Sequence, residues 1–502
     1  MAFDASTDRA PIFERAAEVP DDPAIVEPSG VWTWSEAAAA VARVADALTT
    51  LPLKHGERVA VLGDNDSATL LFYAGALLAG VGTIMVNQHL TASEVVYILD
   101  DGDARAVWAS AGQMTLAREA ARELSEIAVI GPGEATWDRA VAGASTAPPV
   151  SERLATTDLG YTSGTTGRPK GVIVPKEPAF TVRERLQLAA RHHSVGLGPH
   201  LVAGPLYHGG PHAAVGLLLM GTPIVLIGRF GAREALEAIE RYGVATSVMV
   251  PTHLSRILQL DETERRSYDT SSLRLVVHTG SPCPPAVKRA VIDWFGPIVR
   301  ETYGGIESGP IASISTDEWL AHPGSTGRAV PPYEIVIVRE DGTHCAVGED
   351  GLVYARDLTG EGISYRNDPD KTIASHLAPG LFTLGDYGHL DAESYLYLTS
   401  RRDGLVLCGG VNLYPAEAES VLLEHPGVVD AACIGVPDAD LGERLVGVVV
   451  VSASDVTVEN VLAFCGSRLA RHKTPRELRI VAEIKRNHMG KVERRHLRAE
   501  LS

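Results

Sequence analysis

Apolar positions along the first half of the chain switch repeatedly between a helical and a strand period. Ser35 opens an alanine-rich helix expected to run to about Thr49, Arg58–Leu62 reads as a strand, and Ser67–Ala79 reads as a helix. The same rhythm returns further on. Leu201–Ala203 and Pro223–Ile227 are predicted strands, Ala232–Tyr242 a helix, and Thr246–Val250 and Leu273–His278 strands. Alternation of this kind implies parallel sheets covered by helices, and the length suits two such units. From Gly327 to about Thr399 the pattern becomes short strands separated by turns such as Asp341-Gly342 and Asp350-Gly351, which is hairpin chemistry. A charged, glycine-containing segment, Ser400 to Gly404, then marks a boundary. Beyond it Pro415 starts a helix to about Glu424, Ala431–Gly435 and Leu445–Val451 are strand-like, and Val456–Arg471 is amphipathic.

At 502 residues the chain exceeds one typical core, and 45% hydrophobic with 22% charged residues is the composition of a globular protein. A formal charge of -18 argues against nucleic-acid and anionic-membrane partners. Any phosphate-bearing ligand must therefore meet local positive charge. The five cysteines, Cys283, Cys345, Cys408, Cys433 and Cys465, form no CxxC pair, so reduced thiols in a cytoplasmic protein are expected. Met1 to Asp8 lacks a basic segment followed by an apolar run, so no signal peptide is expected. Leu70 to Val86 is uncharged but interrupted by glycines, which favours a buried helix running into a strand over a membrane span.

Chemistry concentrates at Tyr161-Thr162-Ser163-Gly164-Thr165-Thr166-Gly167-Arg168-Pro169-Lys170-Gly171. Hydroxyls can donate to anionic oxygens, glycines admit close backbone approach, and two cations answer negative charge. Strand-like flanks at Leu159–Tyr161 and Val172–Val174 predict a strand-loop-strand unit and not a Walker loop opening a helix. Downstream, Gly280-Ser281-Pro282 and Glu301-Thr302-Tyr303-Gly304-Gly305-Ile306-Glu307 follow strand ends, where ligands of open α/β sheets sit. An aromatic ring, glycines and a carboxylate can stack a base and hold a hard cation. Asp386, in a tight turn, can accept both hydroxyls of a ribose. Arg486 to Lys491 is a basic loop before a helix.

In this order these segments resemble the adenylate-forming superfamily of acyl-CoA synthetases, nonribosomal adenylation domains and firefly luciferase, over nearly the whole chain. The resemblance implies an α/β fold: a large N-terminal domain, residues 1–402, of two doubly wound α/β subdomains plus a β-barrel, and a small mobile C-terminal domain, residues 403–502. It implies a site between the domains and the use of ATP, Mg²⁺ and coenzyme A on a small carboxylic acid. Carried over by position, Thr162 and Glu307 would hold Mg²⁺, and Ser163, Gly164, Thr165, Thr166, Gly167 and Lys170 would surround the phosphates. Gly280, Ser281, Pro282, Glu301 and Thr302 would help bind ATP and Tyr303 would face adenine, with Asp386 and Arg401 at the ribose. Lys491 would be the adenylating lysine, Asp403 the hinge, and Gly409-Gly410 the border of the pantetheine tunnel. Tyr207, His208, Gly209, Gly304, Gly305 and Ile306, with Gly280, would line the acyl side, His208 serving as an aromatic gate. A homodimer is carried as the candidate assembly.

The chain departs from the family pattern in three places: Ile306 stands where threonine is usual, Leu384 where threonine precedes Gly-Asp, and Lys485 where proline begins the last loop. Ile306 removes a hydroxyl and adds apolar surface beside the acyl pocket, and Gly209 and Gly210 leave volume near the apolar Ala213, Ala214, Val215 and Leu217, so a hydrophobic acid with room for bulk is expected, aryl, alicyclic or terpenoid. Gly209, Gly210 and Pro211 are expected to prevent a helix there, which disfavours a zinc pair of His208 with His212. A medium-chain fatty-acid ligase, an adenylation enzyme loading a carrier protein, and a nucleotide-binding regulator without catalysis remain as alternatives.

Overall fold

In the computed structural model the described residues are 9–124, 127–150, 152–162, 169–174, 180–401, 406–408, 411–413, 415–438, 442–469, 471, 473–486 and 492–501. They form two compact units. The first holds residues 1–249, 259–277 and 363–373, and the second residues 250–258, 278–362 and 374–502.

The first unit contains two mostly parallel sheets. One runs Ala128–Ile130, Ala104–Ala109, Arg58–Leu62, Gly82–Met85, Asp158–Thr162, with only the edge strand Lys170–Val174 antiparallel. The other pairs Thr246–Met249, His200–Val202, Ile224–Leu226 and Pro23–Glu27 in parallel, with Gly30–Thr33 antiparallel beyond. Local signals fix the helices between them. Ser67–Ala79 begins where the Asp66 carboxylate accepts the Thr69 amide at 2.9 Å and ends at Gly80, whose φ of 72° is left-handed. The alanine-rich helix is Trp34–Thr49. Its cap is Thr33, one turn of a capping box with Glu36, and not Ser35, because only Thr33 has an acidic partner three residues on.

The second unit is antiparallel through its middle. Val299–Gly305, Gly309–Ile314 and Arg328–Ala329 form one ladder. A five-stranded sheet runs Tyr333–Val338, Gly351–Asp357, Leu381–Leu390, His376–Ala378, with Leu396–Arg401 also on Leu381–Leu390. A last sheet pairs Val411–Leu413, Val406–Cys408, Gly442–Val451 and Val428–Asp438 antiparallel, and adds Glu477–Ile480 in parallel. Helices Pro415–Leu423 and Val458–Gly466 share one hydrophobic cluster with this sheet.

All five cysteines are free thiols. Among the described residues no helix is long and apolar enough to cross a membrane.

Candidate active site

The strands flanking the predicted phosphate loop are a hairpin: Asp158–Thr162 and Lys170–Val174 pair antiparallel, with Thr162 opposite Lys170. Ser163, Gly164, Thr165, Thr166 and Gly167, and the Thr162 side chain, lie outside the described residues. The entry strand is anchored beneath. Asp158 is buried, accepts the Thr83 amide at 2.8 Å and pairs with Arg185. Burial alone would raise its pKa, but Arg185 and Thr83 overrule that and hold it below the usual carboxylate value. At the exit strand the Lys170 ammonium meets Asp368 at 2.6 Å. Nothing in the sequence marked Asp368, because the two are brought together only by the fold.

In the second unit three predicted segments converge. Gly280 follows the strand Leu275–His278 with φ of +90°, a conformation that favours glycine, and remains exposed with Pro282, while Ser281 is half-buried. Next to it the Thr279 hydroxyl donates to the Thr302 carbonyl at 2.9 Å, so the loop after one strand is stitched to the next. The Tyr303 hydroxyl donates to Asp386 Oδ2 at 2.8 Å. Arg401 sits opposite Asp386 in the ladder, although its side chain is not described. Gly304 admits the turn, since a Cβ there would lie 2.0 Å from the Gly309 carbonyl oxygen. Glu307 lies in the turn that joins Val299–Gly305 to Gly309–Ile314 and is half-buried.

The Glu301 carboxylate is buried and paired at 2.6 Å with Lys288, itself 1% exposed, on the helix Pro285–Phe295. Burial pushes the Glu301 pKa up and the Lys288 pKa down, while the ion pair opposes both.

The glycines after His208 require correction. Gly209–Leu219 is a helix, with His208 at its N-cap and Pro211 in the first turn. First-turn amides have no intrahelical acceptor, so proline costs nothing there. His212 is held by the fold: its Nδ1 lies 3.1 Å from the Leu206 carbonyl and its ring meets Tyr73 edge-on at 4.6 Å. Burial pushes its pKa down. Tyr207 and His208 have ring centroids 4.3 Å apart. Asn65, which sequence reasoning missed, holds this loop by accepting the Leu206 amide at 3.1 Å and donating to the Gly228 carbonyl at 2.8 Å. Ala214, Val215 and Leu217 are buried in a helix that packs on Ser67–Ala79.

Lys491, Asp403, Gly409 and Gly410 lie outside the described residues. The neighbours of the Lys491 segment, Arg486 and Val492, form an isolated antiparallel bridge, and Arg486 is ion-paired with Asp430.

The AMP-binding enzyme family profile matches residues 12–359, and that of the AMP-binding enzyme C-terminal domain matches residues 417–491. The chain belongs to the AMP-binding enzymes. Relatives of this family member include a long-chain-fatty-acid–CoA ligase, FadD13 of Mycobacterium tuberculosis (strain ATCC 25618 / H37Rv), 30% identical with 97% of each chain covered. A 2-succinylbenzoate–CoA ligase of Bacillus cereus (strain ATCC 14579) is 31% identical, again over 97% of both. Among solved structures, o-succinylbenzoate CoA synthetase (MenE) from Bacillus subtilis, with its acyl-adenylate intermediate, superposes with a TM-score of 0.80 at 26% identity, covering 97% of this chain and 98% of that one. The same enzyme was solved with ATP and magnesium ion, TM-score 0.79.

Proposed function

We propose that this chain is an AMP-forming acid:CoA ligase whose substrate is a hydrophobic, bulky carboxylic acid, activated as an acyl-AMP and passed to coenzyme A. The observation that carries the reading is the meeting of Tyr303 and Asp386 at 2.8 Å beside the stitched Gly280 and Thr302 loops, a corner suited to an adenine ring and a ribose diol. The relatives that match over nearly the full length are CoA ligases, and MenE was solved with an acyl-adenylate.

In the first half-reaction the substrate carboxylate attacks the α-phosphorus of ATP and pyrophosphate leaves. One anion must approach another, so cations must neutralise the encounter. Lys491, charged at neutral pH with a reference pKa of about 10.4, would face the developing charge, and Lys170 the phosphates. Glu307, with the Thr162 hydroxyl, supplies hard oxygen donors of the kind Mg²⁺ takes. When bound, Mg²⁺ withdraws charge from the phosphate oxygens. In the second half-reaction the coenzyme A thiol attacks the acyl carbonyl, AMP leaves, and a thioester remains. A swing about Asp403 would remove Lys491 and bring in the Gly409-Gly410 channel.

Two apolar replacements support a hydrophobic acid. Ile306 follows Gly305 directly, and the Leu384 side chain lies against Gly305, 3.4 Å from where a Cβ would stand. Loss of two hydroxyls at one corner favours apolar over polar substrate surface.

The test is release of pyrophosphate and AMP from ATP and Mg²⁺ with aliphatic, aromatic and polycyclic acids, with and without coenzyme A. Pyrophosphate without thiol, thioester and AMP with it, and highest kcat/KM for cyclic apolar acids are expected. Highest kcat/KM for medium-chain acids would transfer the assignment to a fatty-acid ligase, and exchange with amino acids to a carrier-loading enzyme. In the same assay Lys491→Ala is expected to slow acyl-AMP formation by roughly 10² to 10³ while sparing thioester formation from supplied acyl-AMP. Equal loss in both halves rejects that role.

A further inference from the structure

Residues Ile363–Ile373 fold with the first unit, although their chain neighbours fold with the second. Tyr365 bridges antiparallel to Val172, and the Arg366 amide donates to the Gly171 carbonyl at 2.8 Å. The segment therefore runs as a strap along the strand that leaves the phosphate loop. Arg366 Nε and Asn367 Nδ2 both donate to the Asp101 carbonyl, at 2.9 Å and 3.0 Å, while the Asp101 carboxylate accepts the Tyr161 hydroxyl at 2.7 Å. Both strands of the hairpin are thus tied to one anchor. Midway along the strap Asp368 engages Lys170 beside a cavity of about 290 Å³.

The two side chains are 15% and 32% exposed, so their ion pair is partly open to solvent and another anion can share it. Asp368 is itself fixed, because its other oxygen accepts the Lys371 amide at 2.9 Å. Any phosphate chain that reaches Lys170 finds a carboxylate that cannot follow the lysine away.

We propose that Asp368 is a counterweight to the triphosphate: it shares Lys170 with the phosphates, weakens their hold, and so hastens departure of pyrophosphate. The inference rests on the reading of Lys170 as a phosphate-facing cation. No bond is made or broken in it. Like charges near each other raise the energy of the loaded state, and the effect falls on ATP and pyrophosphate alike.

The opposite possibility, that Asp368 aims Lys170 at the phosphates, predicts the opposite sign, which makes the test decisive. Asp368→Asn removes the charge and keeps the cap on the Lys371 amide, since asparagine caps as well as aspartate. The readouts are the dissociation constant of α,β-methylene-ATP with Mg²⁺ and the inhibition constant of pyrophosphate. Asp368→Asn is expected to tighten both by about two- to five-fold, the range of one partly exposed ion pair, and less at high salt. Lys170→Met is expected to weaken both, and Lys170→Met/Asp368→Asn to match Lys170→Met. Unchanged or weaker binding in Asp368→Asn overturns the proposal, as does equal tightening in the Lys170→Met background. Unaltered binding in Lys170→Met alone sinks the underlying reading of the lysine instead.

Discussion

Tyr303 is held at both ends. Its ring packs against the cluster of Ile337, Val353 and Leu396, and its hydroxyl donates to Asp386. Tyr303→Phe keeps the ring and deletes the donor, so the fold should survive while Asp386 loses orientation. A hydrogen bond to a charged group is worth about 1.5–3 kcal/mol, and about 1.4 kcal/mol is tenfold in an equilibrium constant. The expected outcome is at least a tenfold fall in kcat/KM for ATP, with narrower discrimination against 2′-deoxy-ATP. Wild-type values for both would show that the hydroxyl does not aim the carboxylate. At this scale residue type was readable: Tyr303 and Asp386 are chemically suited to a nucleoside wherever they stand. The Lys288 partner of Glu301 was not readable, because strand position alone does not say that a lysine waits beneath it.

The strand Val299–Gly305 and the helix Pro285–Phe295 are joined by that pair. Lys288 Nζ also lies 5.0 Å above the Trp319 ring, and His278 Nε2 lies 3.5 Å from the same Glu301 carboxylate. Such a pair is costly to desolvate and more costly to break. Lys288→Met should lose about 3–5 kcal/mol of unfolding free energy, read from urea titration, because a buried carboxylate is left without its cation. Lys288→Met/Glu301→Leu should recover most of it. A double variant no more stable than the single one would mean the pair is not what holds the strand. Elements with local stop signals were legible: Asp66 and Gly80 delimit Ser67–Ala79 in sequence as in space. The helix Gly209–Leu219 was not, because glycines and a proline that read as breakers are tolerable in a first turn once helix-on-helix packing rewards the apolar run behind them.

For the whole molecule, histidines shielded from water set a slope with pH, among them the buried His200 and the half-buried His253. Burial pulls His200 down to about 3, where its Nδ1 lies 2.8 Å from the Thr246 hydroxyl, and His253 down to about 4. Both stay neutral in the folded state while the unfolded chain protonates near 6.5. The unfolded state thus binds protons first as pH falls, and stability that is full above 6.5 is lost on the way down toward 4. Each such histidine costs up to about 1.4 kcal/mol per pH unit within that window. Urea midpoints at pH 7.5 and 5.5 should differ, lower at 5.5, with the gap reduced in His200→Gln. Equal midpoints would refute the burial argument.

By itself the sequence determined which stretches alternate as helix and strand, and which groups can serve phosphate, base and sugar. Periodicity and side-chain chemistry are local properties, and 161–171, 280–282, 301–307 and 386 carry them in their own residues. The tertiary structure alone decided which of these groups are spent on each other. Lys170 and Asp368 are far apart in the chain, as are Tyr303 and Asp386, and no spacing rule reaches across loops of that length. Partners of that kind are chosen by how sheets and straps pack, because burying a charge forces it to find its opposite wherever the fold has placed one.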